Sequence, residues 1–346
     1  MAYSAIVKPQ DYFNTLLYTG NGGTQTISGV GFQPDFAWIK NRSGAGNHML
    51  QNAVRGSTKH LHSNTTDIEV TDATGVTSFN SDGFVVGSNG NLNGNGTTTA
   101  SWNWKANGTG AANTAGSINT TVSVNTTSGF SIVKWTGNST AGETIGHGLG
   151  VTPKVVIIKR LSGSTQSWIC KFPTATDGYL ALNATDAISA SSGWLPVSSS
   201  LITLANNWSA YNNNGNDFIA YCFADVQGYS KFGSYTGNGN ADGTFIYTGF
   251  KPAWIMVKKT NDTHAWRIYD SVRDTYNVTE KILEPNTSNA EATSSTYIVD
   301  LVSNGFKFRG NGDGVNGSGQ SFIYMAFAAA PLVANSGTDG VPATAR

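Results

Sequence analysis

The sequence predicts an all-β protein made of three tandem β-sandwiches of jelly-roll-like type. Gly, Asn, Ser and Thr dominate the 346 residues, and charged residues make up 12% of the chain, against ~25% in typical soluble domains. Short β-rich runs alternate with Gly, Asn and Asp turns, and no apolar period of 3.6 residues persists beyond about two turns. A set of sequence landmarks also recurs three times in the same order.

The first landmark is a turn. The letters YTGNG occupy Tyr18 to Gly22 and return at Tyr235 to Gly239, with the near copy WTGNS at Trp135 to Ser139. Asn and Gly tolerate positive φ, so we expect a turn that closes the first strand of each unit.

A proline-led strand is the second landmark. Each copy reads Gly-x-x-Pro followed by an apolar run with a lysine six residues after the proline, and Pro suits the entry of a strand because it lacks an amide donor. Both faces of the run are apolar, which predicts a strand buried on both sides. The prolines and lysines are Pro34, Pro153 and Pro252 with Lys40, Lys159 and Lys258.

Three further landmarks complete each unit. They are an Asn-x-Thr at Asn64, Asn183 and Asn286, a Gly-Asn loop from Leu92, Tyr211 and Val315, and a closing aromatic strand from Ser101, Phe218 and Phe322. The predicted organisation is an N-terminal attachment segment at 1–17, a first repeat at 18–106, a linker at 107–129, a second repeat at 130–225, a third repeat at 226–330 and a C-terminal tail at 331–346.

Composition argues against several classes of function. The 21 basic and 21 acidic residues are mixed along the chain, so no basic surface for nucleic acid is expected. No window reaches the ~18 apolar residues of a membrane helix, and the N-terminal stretch lacks a secretory signal, which predicts synthesis and folding in a cytoplasm. Two cysteines, Cys170 and Cys222, predict buried thiols rather than a disulfide scaffold.

Catalytic and metal signals are weak, so we expect no enzyme and no cofactor. Only five Glu occur, and none pairs with an Asp at equivalent positions in two units. His60 and His62 have a two-residue spacing that places both imidazoles on one face of a strand, which makes them a weak candidate for metal binding. The Gly310 to Gly319 stretch carries one carboxylate and is interpreted as a glycine-rich turn.

Carbohydrate binding is the contact function that the aromatic residues suggest. Trp194, Trp208 and Tyr211 are aromatic residues that the other two units do not share, and indole and phenol rings stack on sugars. Burial at a subunit contact is the alternative. If Trp208 is an exposed sugar platform, Trp208→Ala should leave the melting temperature nearly unchanged.

Four stretches resemble a known family. YTGNGGTQTISGVGFQPDFAWIKNR, TIGHGLGVTPKVVIIKR, AYCFADVQGYSKFGSYTGNG and the ending YMAFAAAP resemble a repeat family of structural proteins of tailed bacteriophage virions, often labelled tail fibre. The resemblance spans nearly the whole chain. It implies a virion protein that contacts other virion proteins, and it transfers no catalytic residue.

The expected function is therefore that of a tail fibre or similar virion appendage that contacts a host glycan. A capsid decoration protein, as head cement or head fibre, is the alternative, and a polysaccharide-degrading tailspike is the third hypothesis. We expect a homo-oligomer, most simply a trimer, because phage appendages assemble that way. Neither nucleic acid binding nor membrane insertion is expected.

Overall fold

A computed structural model describes Ser4, residues 6–174 and residues 177–332. The all-β class is confirmed, because nearly all regular structure in these residues is antiparallel sheet. The helices of the described chain are a 3-10 helix at Pro9–Asp11, α1 at Gly90–Asn93 and α2 at Asp313–Asn316. For the predicted C-terminal tail, residues 333–346 lie outside the described residues.

The first segment, 18–106 with the residues just before it, forms two sheets in its described residues. The larger has the order β1 (Phe13–Thr19), β9 (Thr98–Trp104), β3 (Phe36–Asn41), β4 (Met49–Asn52), β5 (Gly56–His62) and β6 (Val70–Thr71). The smaller has the order β2 (Gln25–Ser28), β8 (Gly83–Val86) and β7 (Val76–Asn80).

The second segment, 130–225, also forms a larger and a smaller sheet. The larger has the order β10 (Ala111–Asn113), β11 (Thr120–Asn125), β12 (Phe130–Thr136), β19 (Asp217–Phe223), β14 (Val155–Arg160), β15 (Ile169–Lys171), β16 (Gly178–Ala181) and β17 (Ser189–Ala190). The smaller pairs β13 (Glu143–Gly146) with β18 (Leu201–Leu204).

The third segment, 226–330, forms three sheets in its described residues. The largest has the order β20 (Ser230–Thr236), β28 (Ser321–Pro331), β22 (Phe250–Lys259) and β23 (Arg267–Asp270). The others contain β21 (Phe245–Tyr247), β27 (Gly305–Phe308) and β26 (Val299–Val302), and the pair β24 (Lys281–Ile282) and β25 (Ala292–Thr293).

The strands β3, β14 and β22 hold the same place in the three segments. Each lies between the closing aromatic strand and the strand that follows it along the chain. The apolar run after each proline is buried on both faces, as its sequence predicts. One face packs under the smaller sheet of its own segment, and the other points away from that sheet.

The faces that point away meet in one core shared by all three segments. Phe36 and Trp104 of the first segment, Tyr221 of the second, and Trp254 and Phe327 of the third belong to this common core. The rings are close: Phe36 stacks on Tyr221 with centroids 4.3 Å apart, and Trp104 meets Trp254 edge-on at 5.8 Å. Such aromatic pairs add about 0.5–1.5 kcal/mol beyond their buried area.

Backbone hydrogen bonds join the segments pairwise around this core. In each case the loop after the mid-segment asparagine accepts one bond from a neighbouring segment and donates another to it. The accepting carbonyls are those of Thr66 (from the Gln166 N–H, 3.0 Å), Thr185 (from the His264 N–H, 2.9 Å) and Ser288 (from the Gly46 N–H, 2.8 Å). The donating N–H groups are those of Glu69 (to the Leu161 carbonyl, 3.1 Å), Ile188 (to the Thr260 carbonyl, 2.7 Å) and Glu291 (to the Arg42 carbonyl, 2.9 Å). The three segments therefore close into a ring.

We name the three contacts by their order. The first joint links segments one and two, the second joint links segments two and three, and the closing joint links segment three back to segment one. Indole N–H bonds reinforce the first two: Trp168 donates to the His62 carbonyl at 2.8 Å and Trp266 to the Ala181 carbonyl at 3.0 Å.

Two predicted boundaries need correction. The stretch 107–129 is not an unstructured linker, because β10 and β11 lie within it and β11 pairs along the whole of β12. The N-terminal stretch 1–17 is not a free arm where it is described, since Ile6 is buried in the common core and β1 begins at Phe13. Both stretches contain apolar or strand-forming residues, and burying apolar surface is favoured over leaving it in water.

The repeated turn has the positive φ that its sequence predicts, at its fifth residue: φ is 74° at Gly22, 59° at Ser139 and 68° at Gly239. The asparagine of the turn has a separate role, since it bonds to a buried asparagine of the Gly-Asn loop. Asn21 exchanges hydrogen bonds with Asn93 at 2.9 and 3.0 Å, and Asn238 does so with Asn316 at 3.1 and 3.0 Å. The glycine before it is required by close approach, since a Cβ on Gly20 would lie 2.3 Å from a backbone oxygen.

Candidate functional site

The aromatic residues predicted to bind sugar lie together, but two of them are inaccessible. Trp194 and Tyr211 are 1% and 0% exposed in the core of the second segment. Tyr211 occupies the loop position that Leu92 and Val315 hold in the other segments, and both of those are also fully buried. The position is thus a core position that happens to be aromatic here, and neither ring is free to stack on a sugar.

Trp208 is half-buried and is the remaining member of the set. Its ring packs 4.8 Å from Tyr179, 5.7 Å from Tyr211 and 6.3 Å from Trp194, measured between centroids. Through these contacts Trp208 covers the edge of the second segment's core. A sugar contact through its exposed edge stays a prediction, but the expectation that Trp208→Ala leaves the melting temperature unchanged does not fit this packing.

His60 and His62 do share one face, with ring centroids 4.9 Å apart. Burial and the neighbouring His62 lower the pKa of His60 to about 4, so it is neutral at pH 7. Nδ1 of His62 lies 3.8 Å from an Asp67 carboxylate oxygen and 3.4 Å from the Asn47 amide. Among the described residues, no third ligand atom completes a metal site at this pair.

Asp262, His264 and Asp313 form a cluster whose ligand atoms lie within 4.8 Å of one another. The Lys259 ammonium already pairs with both carboxylates, 3.1 Å from Asp262 and 2.7 Å from Asp313. His264 Nε2 lies 2.7 Å from the same Asp313 oxygen. Because a fixed positive charge sits where a cation would bind, this cluster is a surface ion-pair network.

Cys170 and Cys222 are buried and unpaired, as predicted. Burial raises the pKa of both thiols, that of Cys222 to about 12. A thiolate is the reactive form, so neither cysteine is a nucleophile at physiological pH.

The lysine six residues after each proline is fully buried, and Lys159 and Lys40 bond across joints, whereas Lys258 bonds to the Lys259 and Asp262 carbonyls of its own segment. Lys159 donates to the Thr66 carbonyl at 2.8 Å across the first joint, and Lys40 approaches the Ser288 carbonyl at 3.4 Å across the closing joint. Burial lowers the pKa of Lys159 to about 7 and that of Lys40 to about 8. These ammonium groups hold loop carbonyls, which gives them a structural role.

Charge differs sharply among the joints. At the closing joint Glu291 receives two hydrogen bonds from Arg42, at 2.9 and 2.7 Å, and one from the buried Arg273 at 3.0 Å. At the first joint Glu69 pairs with Arg55 at 3.2 Å and with Lys59 at 2.8 Å. The second joint has Ile188 at the same position, five residues after the landmark asparagine.

A groove of about 310 Å³ lies at the second joint, where the other joints carry an ion pair. Thr174 and Ile188 of the second segment line one side of the groove. The third segment lines the rest with hydroxyl and amide groups together with apolar and aromatic side chains. Its polar residues are Ser234, Thr236, Thr260, Asn261 and Ser321, and the others are Tyr235, Phe322 and Ile323. Its volume falls at the lower end of the ~300–1,000 Å³ of small-molecule sites.

Sequence reasoning missed this groove, although a signal for it exists. Counting from the landmark asparagines places Glu69, Ile188 and Glu291 in register, and only the second lacks a carboxylate. The turn register likewise aligns Ser234 with Leu17 and Lys134, so a large side chain is replaced by a small one. Both substitutions fall at the same joint, which only the fold brings together.

The chain belongs to the family described as Domain of unknown function (DUF7483), whose profile matches residues 8–331. This single match spans all three segments, so the ring as a whole is the family's domain. No curated protein and no solved structure matches the chain. In the described residues, no helix has the length and apolar character needed to cross a bilayer.

Proposed function

We propose that this chain is a structural protein of a bacteriophage virion, a tail fibre or similar surface appendage built from three copies of one β-sandwich unit. The observation that carries the proposal is the closed ring around a common aromatic core. Together with the sequence resemblance to virion proteins, a ring of three fused sandwiches suits a rigid extracellular building block.

Support for three copies of a unit comes from recurring details. The strands β1, β9, β3 and β4 have the same order as β20, β28, β22 and β23, and the second segment repeats it with β12, β19, β14 and β15. The turn asparagine bonds to the loop asparagine in all three segments. Duplication of one jelly-roll-like sandwich would account for these coincidences.

Capsid decoration is the second candidate, and compactness favours it. The longest helices of the described chain have four residues, and its strands close on one common core rather than extending as a shaft. A closed, compact ring is a suitable shape for a protein that sits on a head lattice. A polysaccharide-degrading tailspike stays the third hypothesis.

The test is to locate the protein on particles of a phage that encodes it. Peptide mass spectrometry of purified virions should detect the chain, and antibody-gold electron microscopy should place it on the tail or on the head. Labelling at the tail supports the appendage, labelling of the head supports decoration, and absence from purified virions refutes both.

A further inference from the structure

The second joint differs from the other two because the segment whose loop crosses it lacks a glutamate–arginine pair. The closing joint and the first joint each fill the space with a glutamate and an arginine, Glu291 with Arg273 and Glu69 with Arg55. Ile188 replaces the glutamate, and the arginine position corresponds in sequence to Ala175, which lies outside the described residues. Both halves of the ion pair are therefore missing together, so no uncompensated charge remains.

The groove that results carries no charged side chain among its described lining residues. Ser234, Thr236 and Ser321 are exposed, and their side-chain hydroxyls make no hydrogen bond to the described chain. Strand β20 lies at the edge of its sheet, paired on one side with β28. The Gly237 N–H donates to the Gln320 carbonyl of the neighbouring strand, and in an antiparallel pair the residues alternate between bonding to the partner strand and pointing away from it. By this alternation the peptide N–H and C=O of Ser234 point away from β28. Its backbone N–H and C=O are thus additional groups for a ligand.

The polar part of the floor is held in place before any ligand arrives. The Thr260 N–H donates to the Ser321 carbonyl at 2.8 Å, and the Ser321 N–H donates to Asn261 at 3.2 Å. Ile188 is fixed across the joint by its own N–H bond to Thr260 at 2.7 Å. A preorganised site of this kind loses little entropy when it binds.

We propose that this groove binds a neutral, polyhydroxylated ligand, a mono- or disaccharide unit without carboxylate, sulfate or phosphate groups. Neutral hydroxyl and amide groups match sugar hydroxyls, while the half-buried Ile188 offers apolar surface to the C–H face of a sugar ring. A charged ligand would find no counter-ion there. The proposal gives the glycan contact of the proposed function a place other than Trp194, Trp208 and Tyr211, and in that respect it rests on the proposed function.

The experiment is a titration of the purified, isotope-labelled full chain with glucose, galactose, mannose, N-acetylglucosamine and N-acetylgalactosamine, each to about 50 mM, read by amide chemical shifts. At least one sugar should shift the amides of Ser234, Thr236 and Ser321 with a dissociation constant on the order of millimolar, since few groups are contacted. Glucuronic acid, the charged counterpart of glucose, should bind at least about tenfold more weakly than the best neutral sugar.

Ser234→Leu fills the groove with the residue that segment one carries at the same position, Leu17. It should keep the melting temperature and weaken sugar binding by about tenfold or more. The reverse exchange at the equivalent site, Leu17→Ser, is the matched control and should leave binding unchanged. No shift at the groove with any of the five sugars, or equal binding by Ser234→Leu, overturns the proposal. Because the titration uses purified protein, its failure is separate from absence of the chain from virions.

Discussion

Glu291 is the point at which the ring should be easiest to open by a single substitution. It accepts a two-pronged hydrogen bond from Arg42 of the first segment and a third bond from Arg273 of the third. Arg273 is fully buried and keeps Asp270 as a second partner, whereas Arg42 has no other ion pair in the described chain. Glu291→Gln therefore leaves the Arg42 guanidinium largely buried without its counter-charge.

The cost follows from burial. Removing one member of a fully buried ion pair costs about 3–5 kcal/mol. The side chains of Glu291 and Arg42 retain 12% and 15% exposure, so water screens part of the charge. We expect a loss of about 2–3 kcal/mol in the free energy of unfolding, measured by urea denaturation.

Hydrogen exchange of single amides shows which joint loses stability in Glu291→Gln. The N–H of Gly46 and that of Glu291 itself both cross the closing joint, so their hydrogen exchange should accelerate by about 30-fold if the joint opens at a cost lower by 2 kcal/mol. The Gln166 N–H at the first joint is the internal control and should be unaffected. Equal acceleration at both joints would mean global destabilisation and refute a local effect.

A double substitution tests whether charge imbalance is the cause. Leu161 and Ile188 are the residues that the second segment has at the positions of Arg42 and Glu291. Arg42→Leu with Glu291→Ile should thus be more stable than Glu291→Ile alone. If the double variant is less stable than the single one, desolvated charge is not what makes Glu291 necessary.

The same pair has a defined pH dependence. Burial raises the pKa of Glu291, but the hydrogen bonds from Arg42 and the charge of Arg273 outweigh it and leave the pKa below 4.5. A depressed folded pKa gives stability that is present above pH 4.5 and is lost as the pH falls through the folded value. Glu291→Gln should remove that part of the acid sensitivity.

Three further predictions concern other parts of the ring. Burial lowers the pKa of Lys159 from 10.5 to about 7, so between these pH values the unfolded chain binds more protons at Lys159 and stability should rise with pH. Lys159→Met should reduce the rise in urea midpoint from pH 7 to about pH 9. An unchanged rise would contradict a lowered pKa at Lys159. Gly20→Ala should cost at least about 2 kcal/mol by overlap with the Gly94 carbonyl. Gly90→Ala meets no atom within 4 Å, so its midpoint should not fall. Trp208→Ala should lower stability by about 1–3 kcal/mol because it uncovers a ring cluster, and an unchanged melting temperature would restore it as a sugar platform.

Much of the fold follows from the sequence because its landmarks are local. The alternation after Pro34, Pro153 and Pro252 assigns each residue to a face, and those faces are buried in the structure as the alternation requires. The β character follows from turn residues and the absence of helical periodicity. Strands β10 and β11 were missed because the Gly- and Asn-rich stretch 107–119, which contains β10, has the composition of a linker, and pairing of β11 with β12 overrides that propensity.

The contacts between segments could not be predicted from the sequence, for a physical reason. A strand buried on both faces signals that two layers cover it, but the pattern is the same whether the second layer is another sheet of the same unit or a different unit. His62 and Ala181 accept indole bonds through their carbonyls, a contact that any residue type permits. The candidate sugar residues failed for a related reason: Tyr211 was judged by its chemistry rather than by the buried character of its counterparts Leu92 and Val315.

Because the three segments lie in one chain, the three joints between them can differ in sequence. In a trimer of separate identical chains, every joint has the same residues, so a substitution that opens a groove opens three and weakens all contacts at once. In this chain the closing joint keeps Arg42 and Glu291, the first keeps Arg55 and Glu69, and the second has Ile188 with a groove. The strongest charge network lies at the contact that closes the ring, between segments that are not consecutive along the chain. One joint can therefore carry the proposed ligand groove in place of an ion pair. The ring closes within one chain. A trimer of whole chains stays a prediction for assembly on the virion.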